Sequence, residues 1–256
     1  MITSTQSADW PTDAVRDRMI GDWHIYQRRG GHRTSTDDLI TAWYAVHRRP
    51  QTLTRYLDLG CGIGSVLLMV SHKLRPAEAV GVEAQPQSVL MARRAVEELP
   101  AHSSKIQLHQ SDFRHFDWSA HPGFDLVTGS PPYFPLDTGV LPNDEQRRAC
   151  RFEARGGVEA YFAAATAAMR DGARFYLVFQ TKGLDRVVAA ASAHALHLGG
   201  QADFLMRRDR ALPFLSVFEF VQRPVAEPHR VVCCVREADG SNSDEYMQIR
   251  RELGVT

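Results

Sequence analysis

The stretch "RYLDLGCGIGSVLLMVSHKL", 55–74, constrains the fold more than any other part of the chain. An apolar run with strand character ends at Leu59. Gly60, Gly62 and Gly64 follow at every second position, and a helical apolar pattern then begins and stops before Pro76. Small residues between a strand and a helix let the backbone turn tightly and approach a ligand, with the helix N-terminus facing it. This spacing serves several ligand classes, so the loop fixes an architecture before it fixes a chemistry.

From Arg55 onward short β-rich runs alternate with longer helical ones. "AVGVE" reads as a second strand, and "QPQSVLMARRAVEELP" as a helix with a proline near its start and another at its end. "KIQLHQ" and "FDLVTG" are a third and a fourth strand. "GVEAYFAAATAAMR" is an alanine-rich helix, "ARFYLVFQ" a fifth strand, and "GLDRVVAAASAHALHL" the helix after it. This alternation predicts an α/β sandwich around a mostly parallel sheet. "QADFLMRR", "FLSVFEFVQ" and "HRVVCCVRE" follow without helices between them, which predicts antiparallel strands at one edge. Residues 1–52 read as an N-terminal extension and 53–256 as one domain. In the extension, Leu39, Ile40, Trp43 and Val46 share one face of a helix capped by Ser35 or Thr36.

At 256 residues and 44% hydrophobic content, the chain can bury one sizeable core. Its formal net charge is zero, so any surface for nucleic acid is a local patch and not a global field. Cys61, Cys150, Cys233 and Cys234 form no C-x-x-C pair. They fit neither a zinc set nor a secreted disulfide framework, and a cytoplasmic location is expected. His194 and His197 lack a partner that completes a metal site, so no metal is expected. No apolar run reaches membrane-spanning length and the N-terminus has no signal-peptide core, so no membrane association is expected either. The oligomeric state stays open between monomer and homodimer.

Acidic residues punctuate the strand ends. Asp58 precedes the glycine loop by two residues, Glu83 ends the second strand, and Asp112 follows the third in "SDF". Ligands in such sheets bind at the carboxyl ends of the strands, so these carboxylates converge on one site. A carboxylate at the end of the second strand can accept hydrogen bonds from both hydroxyls of a ribose. Asp58 beside the glycines is ill suited to a pyrophosphate and well suited to a ligand with an amine or a sulfonium. That favours S-adenosylmethionine over a dinucleotide. Asp112 is then placed to bind an adenine amino group and Phe113 to flank the ring. The alternative is that Asp112 only caps a turn.

"YLDLGCGIGS", "GVEAQPQSV", "SDF" and "FDLVTGSPPY" match, in order, the motifs of class I S-adenosylmethionine-dependent methyltransferases. The chain resembles this family from Arg55 to about Phe179. More narrowly, it resembles the group that methylates exocyclic or side-chain amino nitrogens and carries Asn-Pro-Pro-Tyr after the fourth strand. The resemblance implies a Rossmann-like sandwich with antiparallel C-terminal strands and a short N-terminal extension.

Ser130, Pro131, Pro132 and Tyr133 are the candidate catalytic residues. The acceptor is expected to be a planar nitrogen whose lone pair is delocalised, and so a poor nucleophile. Prolines fix φ and leave carbonyls whose direction is set, so one backbone oxygen can be aimed at the amine. The residue ahead of the prolines supplies a second acceptor, and the tyrosine ring can stack on a planar substrate. Acceptors held in advance stabilise developing positive charge, and no general base need act first. The family motif begins with Asn or Asp. Ser130 is shorter but still accepts a hydrogen bond. Serine here is similar to cytosine-N4 DNA methyltransferases, although those usually place this motif before the cofactor motif and carry a larger recognition region.

The segment "IYQRRGGHRTSTDDLITAWYA" resembles the one that precedes the core in tRNA N6-adenine methyltransferases of the TrmN type. There a Thr-Asp pair lies near the cofactor, and Thr36 and Asp37 match it. "NDEQRRACRFEARGGVEAYF" and the C-terminal "HRVVCCVREADGSNSDEY" match that group more loosely. An RNA substrate, expected to be tRNA, needs a phosphate surface. The candidates are Arg28, Arg29, Arg33, Arg147, Arg148, Arg151 and Arg155; the alternative is that they pair with interspersed acidic residues. A protein-glutamine methyltransferase of the release-factor type is the main rival, because a glutamine amide is also planar. A DNA amino-methyltransferase, a small-molecule N-methyltransferase and a cofactor-binding protein without turnover are the others.

Overall fold

The computed structural model describes residues 9–101, 103–121, 123–134, 144, 146, 152, 153 and 156–255. The chain enters through a hairpin that the sequence reading missed. β1 (Ala14–Ile20) pairs antiparallel with β2 (Trp23–Arg28) across Gly21 and Asp22. The signal is present in the sequence: Gly-Asp between two alternating runs is a hairpin pattern, and Gly21 has the positive φ of +56° that the turn requires. Then comes α1 (Thr36–His47), capped by Ser35 as expected, with the Ser35 N–H donating to the Asp38 carboxylate at 2.9 Å.

The predicted alternation follows. It comprises β3 (Arg55–Leu59), α2 (Ser65–Leu74), β4 (Glu78–Glu83), α3 (Pro86–Glu97), β5 (Lys105–Gln110), β6 (Phe124–Gly129), α4 (Val158–Ala168), β7 (Met169–Gln180) and α5 (Leu184–Ala193). β8 (His197–Leu205), β9 (Leu215–Val221), β10 (His229–Cys234) and α6 (Asp244–Leu253) complete the chain. The main sheet has eight strands in the order β10-β8-β9-β7-β6-β3-β4-β5.

The mostly parallel sheet with an antiparallel strand in its C-terminal part is present as expected, and one detail of the last strands differs. Only β9 runs against the rest; β8 points the same way as β7, and β10 pairs parallel with β8. The reason is edge availability. β9 inserts between β7 and β8, so both its edges are taken. The chain then turns back and can only add to the free edge of β8, in the direction of β8.

Alternation along the strands sorts side chains to two faces. Leu126, Tyr176 and Val178 face one apolar layer with α1, α2, α3 and α6. Val127, Phe175 and Leu177 face the other, with α4 and α5. Met19, Ile20, Trp23 and Ile25 of the hairpin belong to the first layer, so the extension shares the core of the sheet. The C-terminal end of α1 is fastened to the sheet: Arg48 pairs with the buried Glu219 at 2.9 Å, and the Tyr176 hydroxyl donates to the Arg48 carbonyl at 2.6 Å. β3 lies between β4 and β6, and the strand order reverses there. A crevice therefore opens at the carboxyl ends of β3 and β6, as the topology dictates.

Candidate active site

A cavity of about 560 Å³ occupies that crevice. On one side is the glycine loop. Gly60 and Gly62 have φ of +65° and +57°, a region that favours glycine. A side chain at Gly60 would meet the Tyr161 hydroxyl at 2.6 Å, whereas nothing lies within 4 Å of the corresponding position at Gly62. Gly62 thus presents bare backbone to open space. The Glu83 carboxylate ties this loop to the next one, accepting from the Gly62 N–H at 2.9 Å and the Gln85 N–H at 2.7 Å. Gly64 does not line the cavity. Its φ of +90° starts α2, and its open side faces Ala92 and Leu68 of the core.

Asp58 is buried at the end of β3 and accepts from the Thr128 hydroxyl at 2.7 Å, which in turn bonds the Tyr56 hydroxyl at 2.7 Å. Burial pushes the Asp58 carboxyl up to about 7, and the carboxylates of Asp38 and Glu83 add to the shift. Burial likewise pushes Asp38 up to about 6, against the pull of His32. Two acids with raised pKa and Glu83 therefore share one wall, an arrangement that calls for a cation.

Asp112 lines the cavity but also fulfils the alternative reading. It caps the short turn Phe113–His115, and its two oxygens accept from the Arg114 guanidinium, the closest contact being 2.6 Å. That guanidinium holds the carboxyl below its ordinary range. Phe113 is buried, edge-on to Tyr161 with ring centroids 4.6 Å apart. Asp37 also lines the cavity, and its carboxylate accepts from the Tyr133 hydroxyl at 2.6 Å. Thr36 is not part of this wall; it borders a second pocket beside Arg18, Tyr246 and Arg250.

The other side is the Ser130–Tyr133 turn, which leaves β6 directly into the cavity. The Ser130 carbonyl accepts a long bond of 3.5 Å from the Tyr161 hydroxyl, and the Ser130 hydroxyl has no partner among the described residues. The Tyr133 ring packs edge-on against Phe179 with centroids 5.6 Å apart. Burial and the neighbouring Asp37 raise the Tyr133 hydroxyl well above its ordinary value. Phe134 and Phe214 stand 38% and 51% exposed at the mouth.

Residues 57–151 match the family model described as "Methyltransferase domain". The chain is 26% identical over 219 residues to "tRNA1(Val) (adenine(37)-N6)-methyltransferase" of Yersinia pestis, covering 85% of this chain and 79% of the relative. Its fold is similar to that of a "predicted O-methyltransferase" from Agrobacterium tumefaciens (TM-score 0.59, 18% identity, 86% of this chain and 98% of the other). It is also similar to the fold of the T. thermophilus 16S rRNA N2 G1207 methyltransferase in complex with AdoMet and guanosine (TM-score 0.53, 21% identity, 82% of this chain and 50% of the other). The chain carries a methyltransferase domain on a Rossmann-like fold and is an S-adenosylmethionine-dependent methyltransferase.

The cavity of the methyltransferase suits that cofactor. Bare backbone at Gly62, a carboxylate at Glu83 and buried acids at Asp58 and Asp38 match a nucleoside that carries an ammonium and a sulfonium. The cavity of the methyltransferase is also bordered by residues that the sequence analysis does not name. Tyr161 fills the space that Gly60 and Gly129 leave open. Gln180 and Phe214 line the acceptor side and His32 and Asp38 the N-terminal side. Gln180 closes the fifth β-rich run, "ARFYLVFQ", and so shares the strand-end position of the other site residues.

Of the arginines proposed for phosphate, Arg147, Arg148, Arg151 and Arg155 lie outside the described residues. Arg28 pairs with Asp13 at 2.8 Å and Asp144 at 2.9 Å, so it ties the start of the hairpin to Asp144. Arg33 lines the cavity and pairs with Asp17 at 3.1 Å. Arg29 is exposed, with no ion pair among the described residues. No helix among the described residues is long and apolar enough to cross a membrane.

Proposed function

We propose that the enzyme methylates the exocyclic N6 of an adenine in a structured RNA, with tRNA as the substrate class. The observation that carries this reading is the shared cavity. The Ser130–Tyr133 turn faces the glycine loop and Glu83 across one crevice, so an amine acceptor and a methyl donor meet there. The similarity to a tRNA adenine-N6 methyltransferase supports the choice of base.

In this reading Glu83 receives the ribose hydroxyls, Asp58 and Asp38 face the cationic end, and Phe113 and Asp112 border the adenine. The bound cofactor supplies an electrophilic methyl group. The protein's own task is to hold and polarise the acceptor. A backbone carbonyl of the turn, fixed by Pro131 and Pro132, and the Ser130 hydroxyl accept from the two amine hydrogens and draw the nitrogen toward tetrahedral geometry. Tyr133, braced by Asp37 and Phe179, offers its ring to the base and keeps water away. A base flipped out of an RNA loop fits an opening rimmed by Phe134 and Phe214. The test is incubation with labelled cofactor and total tRNA, then nuclease digestion and chromatography of the nucleosides. N6-methyladenosine is the expected product; label confined to protein or DNA would overturn the reading.

A further inference from the structure

Four glutamines are buried in the described structure: Gln27, Gln146, Gln180 and Gln201. Three of them use both ends of the carboxamide. Gln27 donates to Asp17 at 2.6 Å and accepts from the Thr34 N–H at 3.0 Å. Gln146 donates to the Ser88 hydroxyl at 2.9 Å and accepts from the His32 N–H at 3.1 Å. Gln201 donates to Asp203 at 2.6 Å and accepts from Arg230. Gln180 is 4% exposed, yet its carboxamide has no hydrogen-bond partner among the described residues. Its amide atoms are not among the polar atoms sealed inside the core without a partner, and the residue lines the active-site cavity. Burying an amide unpaired is unfavourable, so an unpaired one that faces a binding cavity is a group held ready for a ligand.

Its position is well fixed. Gln180 ends β7, pairs with Leu215 of β9, and is followed by Thr181, whose N–H donates to the Phe214 carbonyl at 3.0 Å. Gly129 lies opposite Leu177, so Ser130 and the end of β7 leave the sheet at the same edge. The donor-side carboxylates lie on β3, β4 and the N-terminal segment, whereas Gln180 stands on the acceptor side of Ser130 in the strand order.

We propose that Gln180 is a specificity residue that reads the acceptor base, donating from Nε2 to a ring nitrogen adjacent to the methylated amine. This rests on the adenine reading above. Adenine presents an unprotonated ring nitrogen on either side of its amine, N1 or N7, and a glutamine carboxamide matches that edge. Guanine's amine is flanked by a protonated N1, where a donor meets a donor, and by N3. Ser130 and the prolines select an amine; Gln180 selects one with an unprotonated ring nitrogen on the side that it reads.

The test uses the full-length enzyme and an RNA stem–loop with a single adenosine acceptor, in which 1-deazaadenosine or 7-deazaadenosine replaces that adenosine. In the wild type, one of the two replacements should lower kcat/KM for RNA about tenfold to a hundredfold. Gln180→Ala and the isosteric Gln180→Glu should lose activity on the unmodified RNA by a similar factor. In both variants the same deaza replacement should cost nothing more, because the partner is already gone. Cofactor affinity measured by calorimetry should stay at the wild-type value, which shows that the variants are folded. A Gln180→Ala enzyme with wild-type kcat/KM, or a deaza penalty equal in wild type and variant, overturns the proposal while the adenine reading stands. A wild-type enzyme that forms no N6-methyladenosine overturns the adenine reading and this proposal with it.

Discussion

The two walls of the cavity are built on different plans. On the donor wall the polar groups are already bonded within the protein. Glu83 holds two backbone N–H groups, and Asp58 and Asp38 each accept a bond. On the acceptor wall the Ser130 hydroxyl and the Gln180 carboxamide have no partner among the described residues, and Phe134 and Phe214 are open to solvent. A cofactor that is the same in every turnover can be met by a rigid, saturated cradle. An acceptor embedded in a large substrate must supply the missing bonds itself, so its wall is left incomplete until the substrate arrives. Each experiment below strikes one wall and asks whether the other feels it.

The largest effect is expected at Glu83. Glu83→Ala removes a charged acceptor from two backbone donors and from the ribose hydroxyls assigned to it. With two charge-assisted bonds lost, cofactor affinity should fall about a thousandfold by calorimetry. Normal binding in this variant would erase the donor wall as drawn. Tyr133→Ala strikes the opposite side. It removes the ring braced by Asp37 and Phe179, and turnover should fall about a hundredfold through lost positioning. Cofactor affinity should change little. If affinity and turnover fall together, the two walls are not independent.

The walls also differ in how far the sequence disclosed them. Gly60, Gly62, Asp58, Glu83 and Ser130–Tyr133 are legible because they sit at strand ends in a fixed topology, where position alone implies a shared site. Thr36 and Gly64 were assigned to the cofactor by motif, yet they serve other surfaces. Motif spacing names the loop but does not say which of its glycines faces outward. Asp37 was assigned to the cofactor and proves to bond Tyr133, a contact 96 residues apart in the chain that no local pattern encodes. Tyr161 and Gln180 were missed for the same reason, because their meaning depends on what α4 and β7 bring them against. The direction of β10 was missed because pairing is decided by which edge remains free, and that is a property of the whole sheet.

A smaller effect is expected from pH, and it belongs to the donor wall alone. In the ligand-free protein burial raises the Asp58 carboxyl from 3.8 to about 7. Below that value the site is largely protonated, and a cationic ligand must expel the proton to pair with the carboxylate. Affinity for the cofactor should therefore rise with pH, by up to about tenfold per unit below 7, and level off above it. Calorimetry in buffers of different ionisation enthalpy should detect proton release on binding at pH 6 but not at pH 8. The ligand-free fold behaves oppositely. Between 3.8 and about 7 the folded state holds this proton more tightly than the unfolded chain does, so raising pH across that window reduces the contribution of Asp58 to stability. Asp58→Asn should flatten both profiles. Activity should keep whatever pH dependence arises on the acceptor wall.

The finest test lies where the walls touch. The Tyr133 hydroxyl donates to Asp37 at 2.6 Å, the one direct side-chain bond between the Ser130–Tyr133 turn and α1 among the described residues. Tyr133→Phe keeps the ring and removes only this bond. A hydrogen bond to a carboxylate contributes about 1.5–3 kcal/mol, and part of that is recovered when water solvates the freed Asp37. Turnover should fall about fivefold, with cofactor affinity within about twofold of wild type. Asp37→Asn retains an acceptor for the hydroxyl but removes the charge, so alone it should cost less than Tyr133→Phe. The double variant should cost no more than Tyr133→Phe, because both changes act on one bond. Additive losses would mean that Asp37 acts on the cofactor independently of Tyr133, which would return it to the donor wall where its motif first put it.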